Sequence, residues 1–206
     1  MTERESLTQL ADAAAIQRTV QALQQRNIHV VVAEGAADAL REVIQLLPEG
    51  AEVFVGTSET LDAIGFGEYF QGNPKYVDIR ARNRAEADPA RQQELRRMTS
   101  VADHYLGSVH AIAETGEVVI ASGSGSQLGA YVYGARRVIW VAGTQKICPT
   151  LADAVARVRG YSLERHDEWA AASGRRGGAI GKLLIVENEQ NPERLHLVLV
   201  KQQVGW

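Results

Sequence analysis

Short apolar runs of strand length alternate along this chain with segments whose apolar residues have the spacing of amphipathic helices. Residues 30–32, 53–55 and 138–141 are almost wholly apolar, which is typical of parallel strands covered on both faces. Strands that alternate with helices favour a sheet with helices on both faces. We therefore predict an α/β fold with a mixed, mainly parallel sheet. We expect a single domain over residues 1–206, with an N-terminal helical extension over residues 1–26.

Two strand-like segments in the middle of the chain predict a hairpin in the sheet. Residues 109–113 and 118–121 flank a turn in which Gly116 can supply the positive φ of a tight hairpin. This antiparallel hairpin is what makes the predicted sheet mixed. Upstream of it, Asp88 followed by proline predicts a helix start, and the apolar spacing that follows extends the helix as far as Gly107.

Three loops rich in glycine, threonine and serine each follow an apolar, strand-like run. They comprise residues 56–60, 122–127 and 143–146. Parallel sheets bind ligands at the carboxyl edge, because the free N–H groups of helix N-termini collect there. We therefore expect a small anionic ligand at this edge. The predicted ligand-binding residues are Gly56, Thr57, Ser58, Ser122, Gly123, Ser124, Gly125, Ser126, Gln127, Thr144, Gln145 and Lys146.

Lys146 and Glu114 are the two candidates for catalysis. A lysine in the third loop can pair with a carboxylate or phosphate, or act as a base if it is desolvated. Glu114 and Glu117 flank the hairpin turn, and paired carboxylates can do acid/base chemistry when their environments separate their pKa values. The alternative for each candidate is an ordinary exposed loop side chain, and the sequence leaves both interpretations open.

Composition excludes several classes of protein. The chain has 22 Lys and Arg against 25 Asp and Glu, a net charge of -3, so no global basic field favours nucleic acid. The single cysteine, Cys148, cannot form an internal disulfide or an iron–sulfur cluster held by this chain alone. The glycine spacing misses the dinucleotide-binding fingerprint, and no metal-ligand spacing occurs. We expect no cofactor and no metal.

The same features predict a cytoplasmic protein without a nucleic-acid or membrane partner. The chain shows no charged-then-apolar signal at its start and no apolar run approaching ~20 residues. Its one basic cluster consists of arginines between residues 80 and 97 that are interleaved with Glu86, Asp88 and Glu94. This pattern predicts a solvated helix face with its counter-charges.

Three motifs, in this order, resemble the lactate-utilisation (LUD) domain family. The first is Gly56-Thr57-Ser58-Glu59-Thr60. The second runs from Ser108 through the Ala-Glu-Thr-Gly hairpin into residues 122–129. The third is Val-Ala-Gly-Thr-Gln-Lys-Ile at residues 141–147. The likeness extends from about residue 10 to the carboxyl end.

The resemblance implies a fold of the NagB/RpiA/CoA-transferase type. It also implies a likeness to the LutC subunit, one of three proteins linked to the oxidation of L-lactate to pyruvate in bacteria. The iron–sulfur subunits of that system carry cysteine clusters that this chain lacks, which fits the cluster-free subunit. The implied function is that of a non-redox protein that binds a small anionic ligand, with iron–sulfur lactate-utilisation subunits as candidate partners.

Two alternatives stay open at this point. The chain could be an independent isomerase or transferase that acts on a phosphorylated or acyl substrate through Glu114 or Lys146. It could also be a purely structural adaptor. The resemblance carries over no catalytic residue, so it does not decide whether the chain is an enzyme.

Overall fold

The computed structural model describes residues 3–174 and 176–206. The strands are β1 (His29–Ala33), β2 (Glu52–Val55), β3 (Val77–Asp78), β4 (His104–Ser108), β5 (Ala111–Ala113), β6 (Val118–Ser122), β7 (Arg137–Gly143), β8 (Ile147–Cys148), β9 (Lys182–Val186) and β10 (Leu195–Val200). The α-helices are α1 (Glu3–Ser6), α2 (Ala13–Gln25), α3 (Ala36–Gln45), α4 (Glu59–Ala63), α5 (Phe66–Phe70), α6 (Ile79–Arg84), α7 (Pro89–Met98), α8 (Leu151–Arg157) and α9 (Leu163–Ala172). Short 3₁₀ turns cover Thr99–Val101 and Thr144–Lys146, and π-helical turns cover Ala130–Gly134 and Val158–Ser162.

The strands form two sheets. The larger has the order β1-β10-β7-β4-β2-β3, and each of its pairs is parallel. The smaller has the order β8-β5-β6-β9 and contains the predicted hairpin, in which β5 and β6 pair antiparallel and Gly116 has a φ of 96°. The predicted α/β fold is therefore confirmed. The antiparallel pairs, β5 with β6 and β6 with β9, lie in the smaller sheet and not in the larger one.

Both faces of the large sheet are buried. Along β7, Val138, Trp140 and Ala142 point into one apolar cluster, while Ile139 and Val141 point into another. Helices α3, α4 and α5 cover the second cluster, and α2 together with the small sheet covers the first. The continuous apolar runs of the sequence therefore form strands of a parallel sheet that is covered on both faces, as predicted.

Helix α2 packs into the core of the protein. Its Ile16 and Leu23 join the cluster that holds Trp140, so the predicted N-terminal extension is part of the layer that covers the large sheet. Met1 and Thr2, which belong to the predicted range, lie outside the described residues. The single-domain boundary over residues 1–206 stays a prediction.

The predicted helix that starts at Asp88 is confirmed, but its predicted end is wrong. Asp88 caps α7 by accepting a hydrogen bond from the Ala90 N–H at 3.0 Å. The helix stops at Met98, a 3₁₀ turn covers Thr99–Val101, and β4 then begins at His104, between β2 and β7 in the large sheet. The apolar spacing of this stretch is that of a helix, but burial in the sheet decides its structure. Met98 is 58% exposed, whereas Tyr105 in β4 is 3% exposed.

Candidate functional site: a cationic cavity at the sheet edge

A cavity of about 1120 Å³ lies where the large and small sheets meet. Gly56 follows β2, Ser108 ends β4 and Lys146 follows β7, so the cavity opens at the carboxyl edge of the parallel sheet. The second loop reaches the same cavity from β6, a strand of the small sheet. Helices α6, α7 and α9 contribute further residues to the wall. The fold thus brings together parts of all three predicted loops, although the second loop comes from another sheet.

Lys146 is the buried charged group of this cavity. The 3₁₀ turn after β7 leaves it only 1% exposed. Its Nζ donates hydrogen bonds to Thr60 Oγ1 at 3.0 Å, to Ser108 Oγ at 3.1 Å and to the Val109 carbonyl at 3.1 Å. These three neutral acceptors match the three protons of an ammonium group.

No carboxylate within the described ranges makes an ion pair with Lys146. Burial, and then repulsion from Arg157, lowers the pKa of Lys146 to about 7. Arg157 is itself 2% exposed and donates to the carbonyls of His110 and Leu7, while its Nη2 has no hydrogen-bond partner in the described structure. Two buried cations without a carboxylate create a positive potential that an anion would relieve.

His110 adds a neutral donor to the cavity wall. Its Nδ1 accepts a hydrogen bond from the Ala121 N–H at 3.2 Å, which leaves the ring proton on Nε2. Burial, and then the charge of Lys146, lowers the pKa of His110 to about 3. The imidazole is therefore neutral at physiological pH and offers a hydrogen-bond donor rather than a charge.

The second loop is held by its own hydrogen bonds. Ser122 Oγ accepts from the Gly125 N–H at 2.8 Å and donates to Gln127 Oε1 at 2.8 Å. Gly125 has a φ of 87°, a conformation that favours glycine, and it turns the chain back toward the cavity. Ser124 and Ser126 exchange a hydroxyl hydrogen bond at 3.1 Å. All six predicted residues of this loop line the cavity.

The first loop also lines the cavity. Gly56 extends the sheet by donating its N–H to the Leu106 carbonyl at 2.9 Å. Ser58 caps α4 by accepting from the Leu61 N–H at 3.2 Å. Between them, Thr57 Oγ1 accepts a long hydrogen bond from Arg80 Nη2 at 3.5 Å. This loop therefore links the sheet edge to α6.

Three predicted site residues lie elsewhere. Thr144 and Gln145 are buried below the cavity and are not among its lining residues. Gln145 Nε2 donates to the Val204 and Gly205 carbonyls at 3.1 and 3.2 Å, so it fixes the segment that ends at the cavity-lining Trp206. Glu114 is also outside the lining, and its carboxylate accepts from Arg18 at 2.7 Å. Of the two catalytic candidates, the structure brings only Lys146 to the cavity.

Sequence reasoning missed the arginines of the cavity. Arg80, Arg84, Arg96 and Arg97 line it, and none of the four forms a salt bridge with any described residue. Arg82 and Arg91 behave as predicted for a solvated face, because Arg82 pairs with Glu52 and Arg91 with Glu94. One signal was available in the sequence: Arg80 and Arg84 are four residues apart, which places them on one face of α6.

Among the described lining residues the balance of charge is strongly positive. Four arginines and Lys146 face one carboxylate, that of Glu59. Within residues 3–174 and 176–206, no group of three or more His, Cys, Asp or Glu side chains could hold a metal ion. A search of the same residues found no helix with the length and hydropathy needed to cross a membrane.

The fold and cavity together define a parallel α/β protein with a cationic site at the carboxyl edge of its sheet. Comparison with family models gives the family. The chain belongs to the LUD domain family, whose model matches residues 16–200 and which relates to lactate utilisation. A comparison with curated proteins found no match.

A solved structure supports the fold independently. The crystal structure of a DUF162 family protein from Deinococcus radiodurans is similar to this chain with a TM-score of 0.57 and 14% sequence identity. The match covers 93% of this chain and 99% of the other. At this identity the likeness concerns the fold alone.

Proposed function

We propose that this protein binds a small anionic ligand at Lys146 as a non-redox, LutC-like member of the LUD family. The observation that carries the proposal is the buried Lys146 ammonium, which lines the cavity without a carboxylate partner. A ligand oxygen that replaces one of the three neutral acceptors of Nζ would supply the missing negative charge in a setting of low dielectric. Family membership supports a link to lactate utilisation. We propose that the protein acts in the cytoplasm.

The cavity provides hydrogen-bond groups around this charge. The hydroxyls of Thr60 and Ser108 already contact Nζ, and His110 can donate from Nε2. The second loop adds serine hydroxyls that are held by hydrogen bonds within the loop. Such groups orient an oxyanion without contributing further charge.

Oxidation of lactate with the help of this protein would need a second, redox-active protein. The one cysteine of the chain, Cys148, is buried and cannot assemble an iron–sulfur cluster. Electrons would therefore leave through a protein that holds clusters or flavin. We propose iron–sulfur lactate-utilisation subunits as that partner, and co-purification with them tests this part of the proposal.

An independent isomerase or transferase is the second candidate function. The observation that favours it is the pKa of Lys146, which at about 7 leaves part of the population neutral and able to accept a proton near physiological pH. In such an enzyme Lys146 would act as the base on a phosphorylated or acyl substrate. Turnover of such a substrate by the isolated chain would favour this reading.

Calorimetry with L-lactate, pyruvate and inorganic phosphate tests the proposed anion site. Lys146→Met should weaken binding by ~1–3 kcal/mol. A bound anion raises the pKa of Lys146, so binding at pH 8 should take up protons, and affinity should fall as pH rises above about 7. Lys201→Ala is the control, because Lys201 is a surface lysine paired with Glu34. Equal affinities of the wild type and Lys146→Met would refute the role of Lys146.

A further inference from the structure

The cavity is much larger than a three-carbon acid requires. Its volume of about 1120 Å³ is slightly above the range of roughly 300–1,000 Å³ that pockets for drug-sized ligands have. Lactate or pyruvate bound at Lys146 would leave most of this space to water. The size of the cavity therefore points to a longer ligand, of which the group at Lys146 is one end.

The remaining charge of the cavity lies on helices α6 and α7. Arg80 is fixed, because its guanidinium lies 5.3 Å from the centre of the Phe54 ring and donates to Thr57. Burial, and then repulsion from Arg84, lowers the pKa of Arg80. Arg84 follows one turn later, and Arg96 and Arg97 come from the last turn of α7. Asp78 and Asp62 offset part of the charge on Arg80, but none of the four arginines forms a salt bridge with a described residue, so an anion with several charges would stabilise them.

Phosphate fits these arginines better than a second carboxylate does. A guanidinium pairs with carboxylates and phosphates alike, but the charge of four guanidinium groups exceeds that of one carboxylate and is better matched by the several charges of phosphate groups. Two partly exposed aromatic side chains in the same lining, Trp169 and Trp206, offer a surface for a flat ring.

We propose that the ligand is an elongated organic diphosphate whose phosphates bind the arginines of α6 and α7 and whose other end reaches the Lys146 site. The inference rests on the proposed function, since it extends the ligand already placed at Lys146. It assigns the two helices a role in phosphate binding that neither the family nor the structural neighbour supplies.

Calorimetry with ADP, AMP, adenosine and inorganic pyrophosphate, at 50 and 200 mM salt, tests the diphosphate end of the inference, and binding of pyruvate or phosphate to wild type and Lys146→Met tests the other end. ADP should bind at least tenfold more tightly than AMP, adenosine should not bind, and ADP affinity should fall at the higher salt. The variant Arg84→Gln/Arg96→Gln should lose at least tenfold in ADP affinity and part of the salt dependence. It spares Arg80, whose contact with Phe54 makes it a risk for folding.

Arg82→Gln/Arg91→Gln is the matched control. It removes two charges from the same two helices, but from residues that pair with Glu52 and Glu94 outside the cavity lining. ADP affinity should be unchanged in this control. An equal loss in both double variants would show a general charge effect and overturn the inference.

The failure of this inference can be told apart from failure of the anion site. If pyruvate or phosphate binds in a Lys146-dependent way but ADP and pyrophosphate bind no better than phosphate, the inference is wrong and the proposed function stands. If wild type and Arg84→Gln/Arg96→Gln bind ADP equally, the inference is wrong as well. Loss of ADP binding with retained phosphate binding in that variant supports it.

Discussion

Arginines cluster in two regions of this molecule. In one region they pair with carboxylates, whereas in the other they form no salt bridge with any described residue. At the hairpin between β5 and β6, Arg18 meets Glu114 at 2.7 Å and Arg26 meets Glu117 at 2.6 Å. Arg26 also donates to the Thr115 carbonyl at 2.9 Å, which ties the turn to the end of α2. In the cavity, by contrast, four arginines and Lys146 face the single carboxylate of Glu59 among the described lining residues.

The pKa values of the two regions show what this difference means. At the hairpin, burial alone would raise the pKa of Glu117, but hydrogen bonds from Thr115 and Arg26 outweigh it and leave the pKa lowered. A lowered pKa favours the charged form of a carboxylate. In the cavity the pKa of Lys146 is lowered too, but for a lysine this disfavours the charged form. Matched charge stabilises the fold, whereas unmatched charge is available to a ligand.

The largest expected effect is on the pH dependence of stability through Lys146. Its pKa is about 7 in the folded protein against the ordinary lysine value of 10.5, so between these values the unfolded chain holds a proton that the folded chain lacks. The free energy of unfolding should therefore rise with pH by about 1.4 kcal/mol per unit, or about 5 kcal/mol over the window. Urea unfolding of wild type and Lys146→Met, compared from pH 6.5 to 10, isolates this contribution.

Lys201→Ala serves as the reference for this series, because Lys201 lies on the surface beside Glu34. Its stability should run parallel to that of the wild type across the same pH range. If the Lys146→Met and wild-type curves also run parallel, Lys146 is not a desolvated cation and the contrast between the two regions fails.

The next effect concerns the hairpin. Arg26→Ala leaves Glu117, whose side chain is 12% exposed, without its cation, and should destabilise the protein by about 2–4 kcal/mol. Arg18→Ala should cost under about 1 kcal/mol, because the Arg18 side chain is 57% exposed. Thermal or urea unfolding at pH 7 measures both. Similar losses for the two variants would show that burial does not set the strength of these pairs.

Local signals in the sequence predicted most of the fold. Apolar runs marked the strands, and Asp88 followed by proline marked the start of α7. Local signals predicted the wrong element where contacts between distant parts of the chain determine the structure. The stretch from Met98 to Gly107 has helical spacing, yet His104–Ser108 is a strand of the large sheet. Position 107 requires glycine because Tyr131 packs against its backbone. A Cβ atom there would lie 1.9 Å from Tyr131 Oη.

The candidate site was predictable only in part. The turn residues of the first two loops and Lys146 could be found from their positions after apolar runs. Ser108 and His110 could not, because the mistaken helix hid the strand end that carries Ser108. The cavity arginines were read as a solvated face, since a sequence does not reveal that Arg82 has a carboxylate partner while Arg84 has none among the described residues.

The smallest expected effect compares these last two arginines in stability. Arg82→Gln removes an exposed ion pair with Glu52 and should lower the free energy of unfolding by up to about 0.5 kcal/mol. Arg84→Gln removes a cation that lowers the pKa of Arg80, so it should leave stability unchanged or raise it by up to about 0.5 kcal/mol at low salt. Both effects should shrink in 1 M salt, where charges are screened. A loss of stability in Arg84→Gln equal to that in Arg82→Gln would mean that Arg84 has a stabilising partner, and the cavity would then resemble the hairpin.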